Sequence, residues 1–267
     1  MAGGGNGKRM KQLIRIAAQT FLPATTYQRI QAVRSRGHQM RYLQSIGMSE
    51  LTKRYIELYG TVVRRGPFAG MVYPLNAAIN RHSIPRLLGS YESELHPWLE
   101  QLQQRKYDCV IDIGTAEGYY AVGLARLLRV PVYAFEPEPQ ERALCELMAR
   151  LNGVSDLIHM RSLFGASDIA DFVSRRALVL CDCEGFEEQI FTPSTVQRVE
   201  NWDTLVELHG TAIQSLPQLA WKHPVQVIAP APKSCDAYPE LNVVGPPGQM
   251  LSEYRAGLNN WMWCARQ

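Results

Sequence analysis

One stretch near the middle of the chain, residues 107–137, restricts the possible folds more than any other. It begins with a short apolar run, Cys109 to Ile113, of the kind that forms a strand buried on both faces. Gly114 and Gly118 then bracket a turn, after which the apolar residues have helical spacing. A second apolar run follows and ends in an acid. This order of strand, glycine turn, helix and strand predicts a right-handed βαβ unit in a parallel sheet.

The chemistry expected of this unit follows from its geometry. Because Gly114 and Gly118 lack a Cβ, a ligand could approach the backbone closely at both positions. The helix that starts near Gly118 would present free N–H groups and a partial positive charge to an anionic group. Glu136, at the carboxyl end of the second strand, is placed to accept hydrogen bonds from the two hydroxyls of a ribose. The pattern therefore predicts a nucleoside ligand that carries a carboxylate or a phosphate.

The turn sequence Gly-Thr-Ala-Glu-Gly, residues 114–118, narrows the choice of nucleoside. A dinucleotide site has the pattern G-x-G-x-x-G, whereas this turn lacks one glycine and contains an acid, Glu117. That carboxylate would repel a pyrophosphate but would favour a sulfonium or an amino group. The run VIDIGTAEGYYAVGLA, followed by YAFEPEP, resembles motif I and the acidic second motif of class I S-adenosylmethionine-dependent methyltransferases. The alternative is a glycine turn in an unrelated α/β protein, and an NAD enzyme fits the turn poorly.

Length and composition are compatible with one large domain, or with a domain and an extension. The chain has 267 residues, of which 46% are hydrophobic, enough for a sizeable core. It contains no run of about 18 uncharged apolar residues, so no transmembrane helix is expected. The basic start is followed by an apolar part that Arg15 interrupts and that is too short for a signal peptide. The six cysteines include no C-x-x-C pair, which favours a reducing, cytoplasmic location.

Positive charge is concentrated in the first quarter of the chain. Residues 1–66 contain twelve Lys or Arg and two acids, a balance of +10, and the remaining 16 basic and 23 acidic residues give −7. This asymmetry is compatible with an anionic partner, either nucleic acid or a membrane surface. Alternatively, the basic part packs on the acidic remainder of the chain or on a second subunit of a homo-oligomer, because its charges are scattered without interleaved aromatic residues. We predict a basic helical extension, residues 1–65, before a methyltransferase domain, residues 66–267.

A turn-rich segment, GPFAGMVYP at residues 66–74, precedes the central unit and is predicted to be a lid-like loop. Together with LLGSYESEL, residues 87–95, it is similar to the segment that precedes the cofactor domain in FkbM-like methyltransferases. That resemblance implies that Tyr91 and Glu92 lie near the cofactor entrance and the substrate. The alternative is an ordinary helix amino terminus capped by Ser90.

A second strong signal follows the predicted fourth strand, Ala177 to Cys181, and reads DCEGFE, residues 182–187. Open α/β sheets place their chemistry at the carboxyl ends of strands, and carboxylates at the exit of a buried strand are costly without partners or a function. The run resembles the D-x-E-G-x-E motif of the FkbM-like family. The resemblance implies methylation of an oxygen, most simply a hydroxyl of a sugar or another small metabolite. No N-P-P-Y-type motif is present here, which argues against amino methylation of a flipped base.

The fifth strand, Thr204 to Leu208, adds Glu207 and then His209, and strand alternation places these two side chains on the same side. His209 is a candidate general base for a substrate hydroxyl, or else a structural hydrogen-bonding residue. Asp182 and Glu184 are further catalytic candidates, and Glu207 is a candidate substrate contact. These four side chains are also of the type that binds a hard divalent metal ion. Their spacing is not diagnostic, so the sequence assigns no metal ligand.

The remaining patterns complete a Rossmann-like, seven-stranded, doubly wound sheet, with strands expected at 156–160, 225–228 and 261–265. The long Pro- and Gly-rich loop between the last two strands is expected on the substrate side. The methyltransferase resemblance implies S-adenosylmethionine as the cofactor and S-adenosylhomocysteine as its product. It assigns cofactor contacts to Asp112, Gly114, Thr115, Glu117, Gly118, Glu136, Pro137, Ser162, Leu163 and Asp182. The alternatives are methylation of a protein or RNA recruited by the basic extension, and a cofactor-binding module without catalysis.

Overall fold

The computed structural model describes residues 41–80, 83–254 and 260–266. The chain divides into two compact units, Met1–Ile46 and Gly47–Gln267. Within the first unit the described residues 41–45 are helical, whereas the part of the predicted helical extension before residue 41 lies outside the described residues. The predicted domain boundary at residue 65 falls inside the second unit.

The second unit is built on one seven-stranded sheet, in the order β3-β2-β1-β4-β5-β7-β6. Its strands are β1 (Cys109–Ile113), β2 (Val132–Phe135), β3 (Ile158–Arg161), β4 (Ala177–Cys181), β5 (Trp202–Leu208), β6 (Val225–Ile228) and β7 (Asn260–Cys264). The first five strands pair in parallel, and β7 runs antiparallel to both β5 and β6. The predicted seven-stranded Rossmann-like sheet is confirmed, and each strand begins and ends within two residues of its predicted position.

Helices flank the sheet and fill its connections. In chain order they are α1 (Met48–Tyr59), α2 (Leu75–Asn80), α3 (Ile84–Leu88), α4 (His96–Leu102), α5 (Tyr119–Leu128), α6 (Pro139–Leu151), α7 (Ala166–Phe172), α8 (Glu187–Ile190), α9 (Pro193–Arg198), α10 (Ala212–Ser215) and α11 (Pro247–Leu251). No helix among the described residues has both the length and the apolar character needed to cross a membrane.

Alternate residues of β1 define the two faces of the sheet. Cys109, Ile111 and Ile113 belong to the large apolar core of one face, to which α7 contributes Ile169 and Phe172. The intervening β1 residues face the other way, and α5 packs against β1 and β2. Every residue of β1 is buried, as expected of a central parallel strand.

The segment predicted to be a lid-like loop is packed against the domain instead. Residues 62–72 double back on themselves, with Val62 bridged to Val72. Phe68, at the tip, is 3% exposed, and its ring lies edge-on to Tyr119 of α5, with 5.3 Å between ring centroids. A Cβ at Gly123 of α5 would lie 2.7 Å from the Phe68 ring. The glycines of this segment therefore form the turns of a tight hairpin that packs on α5.

A buried ion-pair cluster closes the amino edge of the sheet, where β5 begins and β7 ends. Asp203 is fully buried, and its Oδ2 accepts hydrogen bonds from Arg105 (3.0 Å) and from the Tyr107 hydroxyl (2.8 Å). Its Oδ1 accepts the backbone N–H of Arg266 at 3.1 Å. Arg105 also donates to the backbone oxygen of Arg266 at 2.8 Å. One carboxylate thus joins the segments that precede β1 and follow β7.

Candidate active site

The carboxyl ends of the central strands meet at the opposite edge of the sheet. β1 lies between β2 and β4, so successive connections leave β1 in opposite directions. In sheets of this kind a crevice opens at such a switch point, and ligands bind there. Asp112 at the end of β1, Glu136 after β2 and Asp182 after β4 lie at this edge.

Both glycines of the turn after β1 are required by the packing of the protein itself. Gly114 has φ of 88°, and a Cβ there would lie 1.8 Å from the backbone oxygen of Asp182. Gly118 has φ of 99°, and a Cβ there would lie 2.6 Å from the Cys145 sulfur in α6. The close approach of the residues after β4 and of α6 is thus a sufficient reason for both glycines, and their role in making room for a ligand stays a prediction.

Glu136 joins the glycine turn to the end of β2. Its carboxylate is buried, with Oε2 accepting the backbone N–H of Ala116 (3.0 Å) and Oε1 that of Glu138 (2.9 Å). Arg142 of α6 donates to the backbone oxygens of Glu136 (2.8 Å) and Pro137 (2.9 Å) and so fixes this loop. Because each carboxylate oxygen accepts more than one hydrogen bond, these contacts are compatible with the predicted role of Glu136 at a ribose.

Asp112 presents a buried acceptor at the base of the turn. It is 1% exposed, and within the described part of the chain its Oδ2 has no hydrogen-bond partner. The pKa of Asp112 is raised to about 7, mainly by burial; Thr115 opposes this shift, and the nearby carboxylates of Asp182 and Glu136 contribute to it. The Thr115 hydroxyl donates to the backbone oxygen of Asp112 at 3.0 Å. This environment suits a ligand group that donates hydrogen bonds.

Glu117 is held by residues that precede the sheet. It is 2% exposed and accepts a hydrogen bond from the Tyr73 hydroxyl. Arg86 Nε lies 3.6 Å from Glu117 Oε1, and the guanidinium lies over the Tyr91 ring, 4.0 Å from its centroid. The Tyr91 ring in turn contacts Tyr119 edge-on at 5.4 Å. A cation of the protein already neutralises Glu117, so the predicted contact with a sulfonium or amino group has a competitor in Arg86.

The second predicted entrance residue, Glu92, is also buried. It is 1% exposed, with φ of 47°, and its carboxylate accepts a hydrogen bond from Tyr120 in the first turn of α5. Its backbone N–H donates to Glu253 Oε1 at 2.8 Å, and Glu253 pairs with Lys233. The alternative of a Ser90 cap is wrong, because the Ser90 hydroxyl donates to the backbone oxygen of an earlier residue instead.

An open cavity of about 290 Å³ lies beside Glu253 and Lys233, under the loop that follows β6. Its lining is mixed polar and apolar, and consists of Glu94, Pro230, Ala231, Lys233, Cys235, Gly248, Leu251, Ser252 and Glu253. The Oε1 atom of Glu94 is buried and has no hydrogen-bond partner among the described residues. The size and the convergent polar groups suit a small polar molecule.

The loop after β3 supplies exposed rather than buried side chains. Ser162 is exposed, and Leu163 is 47% exposed although it is a large apolar residue. The next residue, Phe164, is buried against Phe135, with ring centroids 4.9 Å apart, and anchors the loop. Ser162 and Leu163 therefore offer an accessible surface at the carboxyl edge of the sheet, which is compatible with their predicted role as cofactor contacts.

His209 is the centre of a carboxylate cluster after β4 and β5. Its Nδ1 lies 2.9 Å from Glu187 Oε1. Its Nε2 lies 3.6 Å from Glu207 Oε2, 3.9 Å from Asp182 Oδ1 and 3.9 Å from Glu184 Oε2. The predicted placement of Glu207 and His209 on the same side is confirmed. Asp182, Glu207 and His209 each offer one atom within 4.8 Å of the others, so these three could hold a metal ion.

Glu187 is the functional candidate that the sequence did not single out. It is fully buried, and its Oε1 accepts the backbone N–H groups of Gly185 (3.1 Å) and Cys183 (3.3 Å) as well as contacting His209. The D-x-E-G-x-E motif contains this residue, so a signal was present. Its partner, however, lies 22 residues later, a pairing that no local pattern predicts.

Burial and neighbouring charges shift the pKa values of His209 and Asp182 in this cluster. Burial lowers the pKa of His209, but the hydrogen bond to Glu187 and the charges of Asp182 and Glu207 outweigh it and raise the value to about 9. The charge of Glu187 therefore favours a proton on His209 Nδ1 that is donated to the Glu187 carboxylate. Burial, followed by the neighbouring Glu207, holds the pKa of Asp182 well above its usual range. The role of His209 as a general base stays a prediction, and Asp182 stays a second candidate.

Comparison with known proteins gives distant structural likenesses. No protein-family model and no curated protein matches the chain. The O-methyltransferase from Bacillus cereus in complex with SAH is 10% identical over 61% of this chain and 76% of that one, with a TM-score of 0.42. The C-terminal domain of precorrin-6Y C5,15-methyltransferase from Rhodobacter capsulatus is 13% identical over 63% and 85%, with a TM-score of 0.43. The METTL16 methyltransferase domain is 16% identical over 63% and 79%, with a TM-score of 0.42. At these identities the likeness concerns the fold alone.

Proposed function

We propose that this protein is an S-adenosylmethionine-dependent methyltransferase that methylates an oxygen of a small hydroxylated molecule such as a sugar. The observation that carries the proposal is the hydrogen bond between Glu136 and Ala116, at the switch point of the sheet. It brings a buried carboxylate of the kind that binds ribose hydroxyls to the glycine turn and to the amino terminus of α5.

The charge of the crevice favours a cationic cofactor over a dinucleotide. Asp112, Glu136 and Asp182 crowd three carboxyl groups at the ends of adjacent strands, and Asp112 Oδ2 is a buried acceptor without a partner in the described chain. An amino group or a sulfonium would be attracted to this site, whereas a pyrophosphate would be repelled. When bound, S-adenosylmethionine supplies an electrophilic methyl group.

Different residues would bind different parts of the cofactor. Glu136 would bind the ribose, and the loop of Pro137 would border it. Ser162 and Leu163 would cover the adenine. The turn from Gly114 to Gly118, with Asp112 beneath it, would receive the amino acid portion. Each assignment follows from exposure, position or hydrogen-bonding capacity.

The acceptor would bind on the β4 and β5 side of the same edge. Asp182 follows β4 directly against the glycine turn, as the clash of a Gly114 Cβ with its backbone oxygen requires. The Asp182, Glu207 and His209 cluster therefore borders the cofactor crevice. A hydroxyl held there lies among carboxylates able to take its proton, and correct positioning supplies most of the rate enhancement.

Calorimetric titration with S-adenosylhomocysteine tests the cofactor. We expect micromolar binding to the wild-type protein and about 10-fold or more weaker binding to Glu136→Gln, since a hydrogen bond to a charged group contributes about 1.5–3 kcal/mol. Glu146→Gln, an exposed change on α6, is the matched control and should bind like the wild type. Binding of NAD instead of S-adenosylhomocysteine, or equal affinity in both variants, would overturn the proposal.

Transfer of a labelled methyl group tests the acceptor class. Incubation of the protein with labelled S-adenosylmethionine and a panel of sugars and other hydroxylated metabolites should yield a methyl ether, detectable by mass spectrometry. Label that enters only protein or RNA would favour the alternative of a macromolecular acceptor. Cofactor binding without label in any fraction would favour a non-catalytic module.

A further inference from the structure

We propose that the edge of β4 and β5 binds a divalent metal ion through Asp182, Glu207 and His209. These residues follow or end two adjacent parallel strands, so the sheet itself sets their spacing. One side-chain atom of each lies within 4.8 Å of the other two. A histidine nitrogen with two carboxylate oxygens is a common set of ligands for first-row divalent ions.

The support behind His209 is of the kind found at metal-binding histidines. Its Nδ1 is engaged by the buried carboxylate of Glu187 at 2.9 Å, and Glu187 is itself held by two backbone N–H groups. A carboxylate on the far ring nitrogen fixes the orientation and tautomer of a metal-binding imidazole. It directs Nε2 towards Asp182 and Glu207, at 3.9 and 3.6 Å.

A second, independent observation points to a cation. The Asp182 side chain is 27% exposed, but its Oδ1 atom is buried, and no group in the described residues supplies that atom with a hydrogen bond. Buried acceptors without donors are costly, and proteins rarely keep them without a reason. Four carboxylates surround one imidazole here, so negative charge is concentrated at this edge. A cation bound between Asp182 and Glu207 would offset that charge and would contact the buried Asp182 Oδ1.

The ligand set favours a six-coordinate ion of the Mn²⁺ or Mg²⁺ type. Bonds of about 2.1 Å would place neighbouring ligand atoms about 3 Å apart, so the observed separations from His209 Nε2 need to shorten by less than about 1 Å. Three protein ligands leave positions for water or for an oxygen of the acceptor. The catalytic role, unlike the binding itself, rests on the proposed function: the ion would bind the acceptor hydroxyl and favour loss of its proton.

Electron paramagnetic resonance with Mn²⁺ tests the site in the full-length, chelator-treated protein. We expect one Mn²⁺ per chain, with spin-echo modulation from a directly bonded imidazole nitrogen. Asp182→Asn, Glu207→Gln and His209→Asn should each weaken binding by 10-fold or more. Glu187→Gln, a change at a positioning residue, should weaken it about 10- to 100-fold while the nitrogen modulation persists.

The controls separate a specific site from surface binding. His159→Asn and Glu146→Gln change exposed residues elsewhere and should bind Mn²⁺ like the wild type. If a ligand variant fails to fold in thermal unfolding, the wild-type spectrum still decides, because absence of nitrogen modulation contradicts the proposal. Equal Mn²⁺ affinity in the ligand variants and the controls would overturn it.

Calorimetry with S-adenosylhomocysteine on the same samples distinguishes the two proposals. Cofactor binding without Mn²⁺ binding would overturn the metal site and leave the methyltransferase proposal intact. Mn²⁺ binding without cofactor binding would support the site and overturn the proposed function.

Discussion

At the residue scale, the raised pKa of the buried Asp112 predicts how the stability of the protein depends on pH. Its pKa is raised to about 7, from an ordinary value near 3.8, mainly by burial. Between about pH 4 and pH 7 the folded state therefore holds a proton that the unfolded state releases. Because of this difference, Asp112 lowers the free energy of unfolding progressively as pH rises through that range, and the reduction is constant at higher pH. A tenfold difference in proton affinity between the two states corresponds to about 1.4 kcal/mol of stability.

Asp112→Asn should remove that cost, because Asn resembles the protonated carboxyl in shape. We expect the difference in free energy of unfolding between the variant and the wild type, measured by urea titration, to increase in favour of the variant by a few kcal/mol from pH 5 to pH 8. Asp236→Asn, at an exposed position, should follow the wild-type profile. Parallel profiles for wild type and Asp112→Asn would contradict the raised pKa of this carboxyl.

Single residues at strand ends were predictable, and their distant partners were not. Glu136, Asp182 and His209 follow apolar runs, so sequence alone places them at one edge of the sheet. The contact between Arg86 and Glu117 joins segments 31 residues apart and depends on how the chain before the sheet packs. No local periodicity contains that information.

At the element scale, the fit between α5 and the hairpin of residues 62–72 makes a second prediction. Gly123 lies inside a helix, where Gly→Ala ordinarily stabilises by up to about 1 kcal/mol. Here the new Cβ would meet the buried Phe68 ring at 2.7 Å, and crowding of this kind costs about 1–3 kcal/mol. Gly123→Ala should therefore lower the midpoint of thermal unfolding.

A double-mutant cycle provides the check. In a Phe68→Leu background the smaller side chain leaves space, so the penalty of Gly123→Ala should shrink or reverse. A stabilising Gly123→Ala in the wild-type background would mean that the hairpin does not pack as described.

The elements with the most regular sequence patterns were the easiest to predict. β1, β4 and β6 occupy their predicted positions because each is a compact apolar run bounded by turn residues. Residues 66–74 were misassigned as a lid because turn-forming residues are common to open loops and tight hairpins. What distinguishes the two is the packing of Phe68 on α5, a tertiary contact.

At the scale of the whole molecule, the Asp203 cluster joins the chain segments before β1 and after β7 and leads to a third prediction. Asp203→Ala removes the acceptor shared by Arg105, Tyr107 and the Arg266 backbone. Breaking a buried ion pair costs about 3–5 kcal/mol. Because the two arginine side chains are about a quarter exposed and can reach water, we expect a smaller loss, about 2–3 kcal/mol.

This loss should leave ligand binding intact. The cluster lies at the amino edge of the sheet, opposite the site, so affinity for S-adenosylhomocysteine well below the unfolding temperature should match the wild type. Tyr107→Phe, which removes one donor, should be destabilised by about 1 kcal/mol. A large fall in cofactor affinity for Asp203→Ala would show that the two edges are coupled.

The sheet as a whole was predictable because the βαβ pattern and right-handed crossovers leave few alternatives. The position of the division between the two units was harder to predict, since the helical segments on either side of Gly47 show no marked change in composition. Charge asymmetry indicates a different character for the first quarter of the chain, but not where the second unit begins to fold.

The reversed direction of β7 has a consequence for how this protein can change. Because β6 ends and β7 begins at the same edge of the sheet, the connection between them leaves and re-enters the domain on the side of the site. It also carries most of the wall of the cavity beside Glu253. Its buried residues, such as Leu241 and Met250, anchor it to the domain, whereas exposed ones such as Cys235 do not. A library confined to its exposed positions could therefore vary one wall of the cavity while the central strands stay unchanged, and under the proposed function this would alter the choice of acceptor before the binding of cofactor.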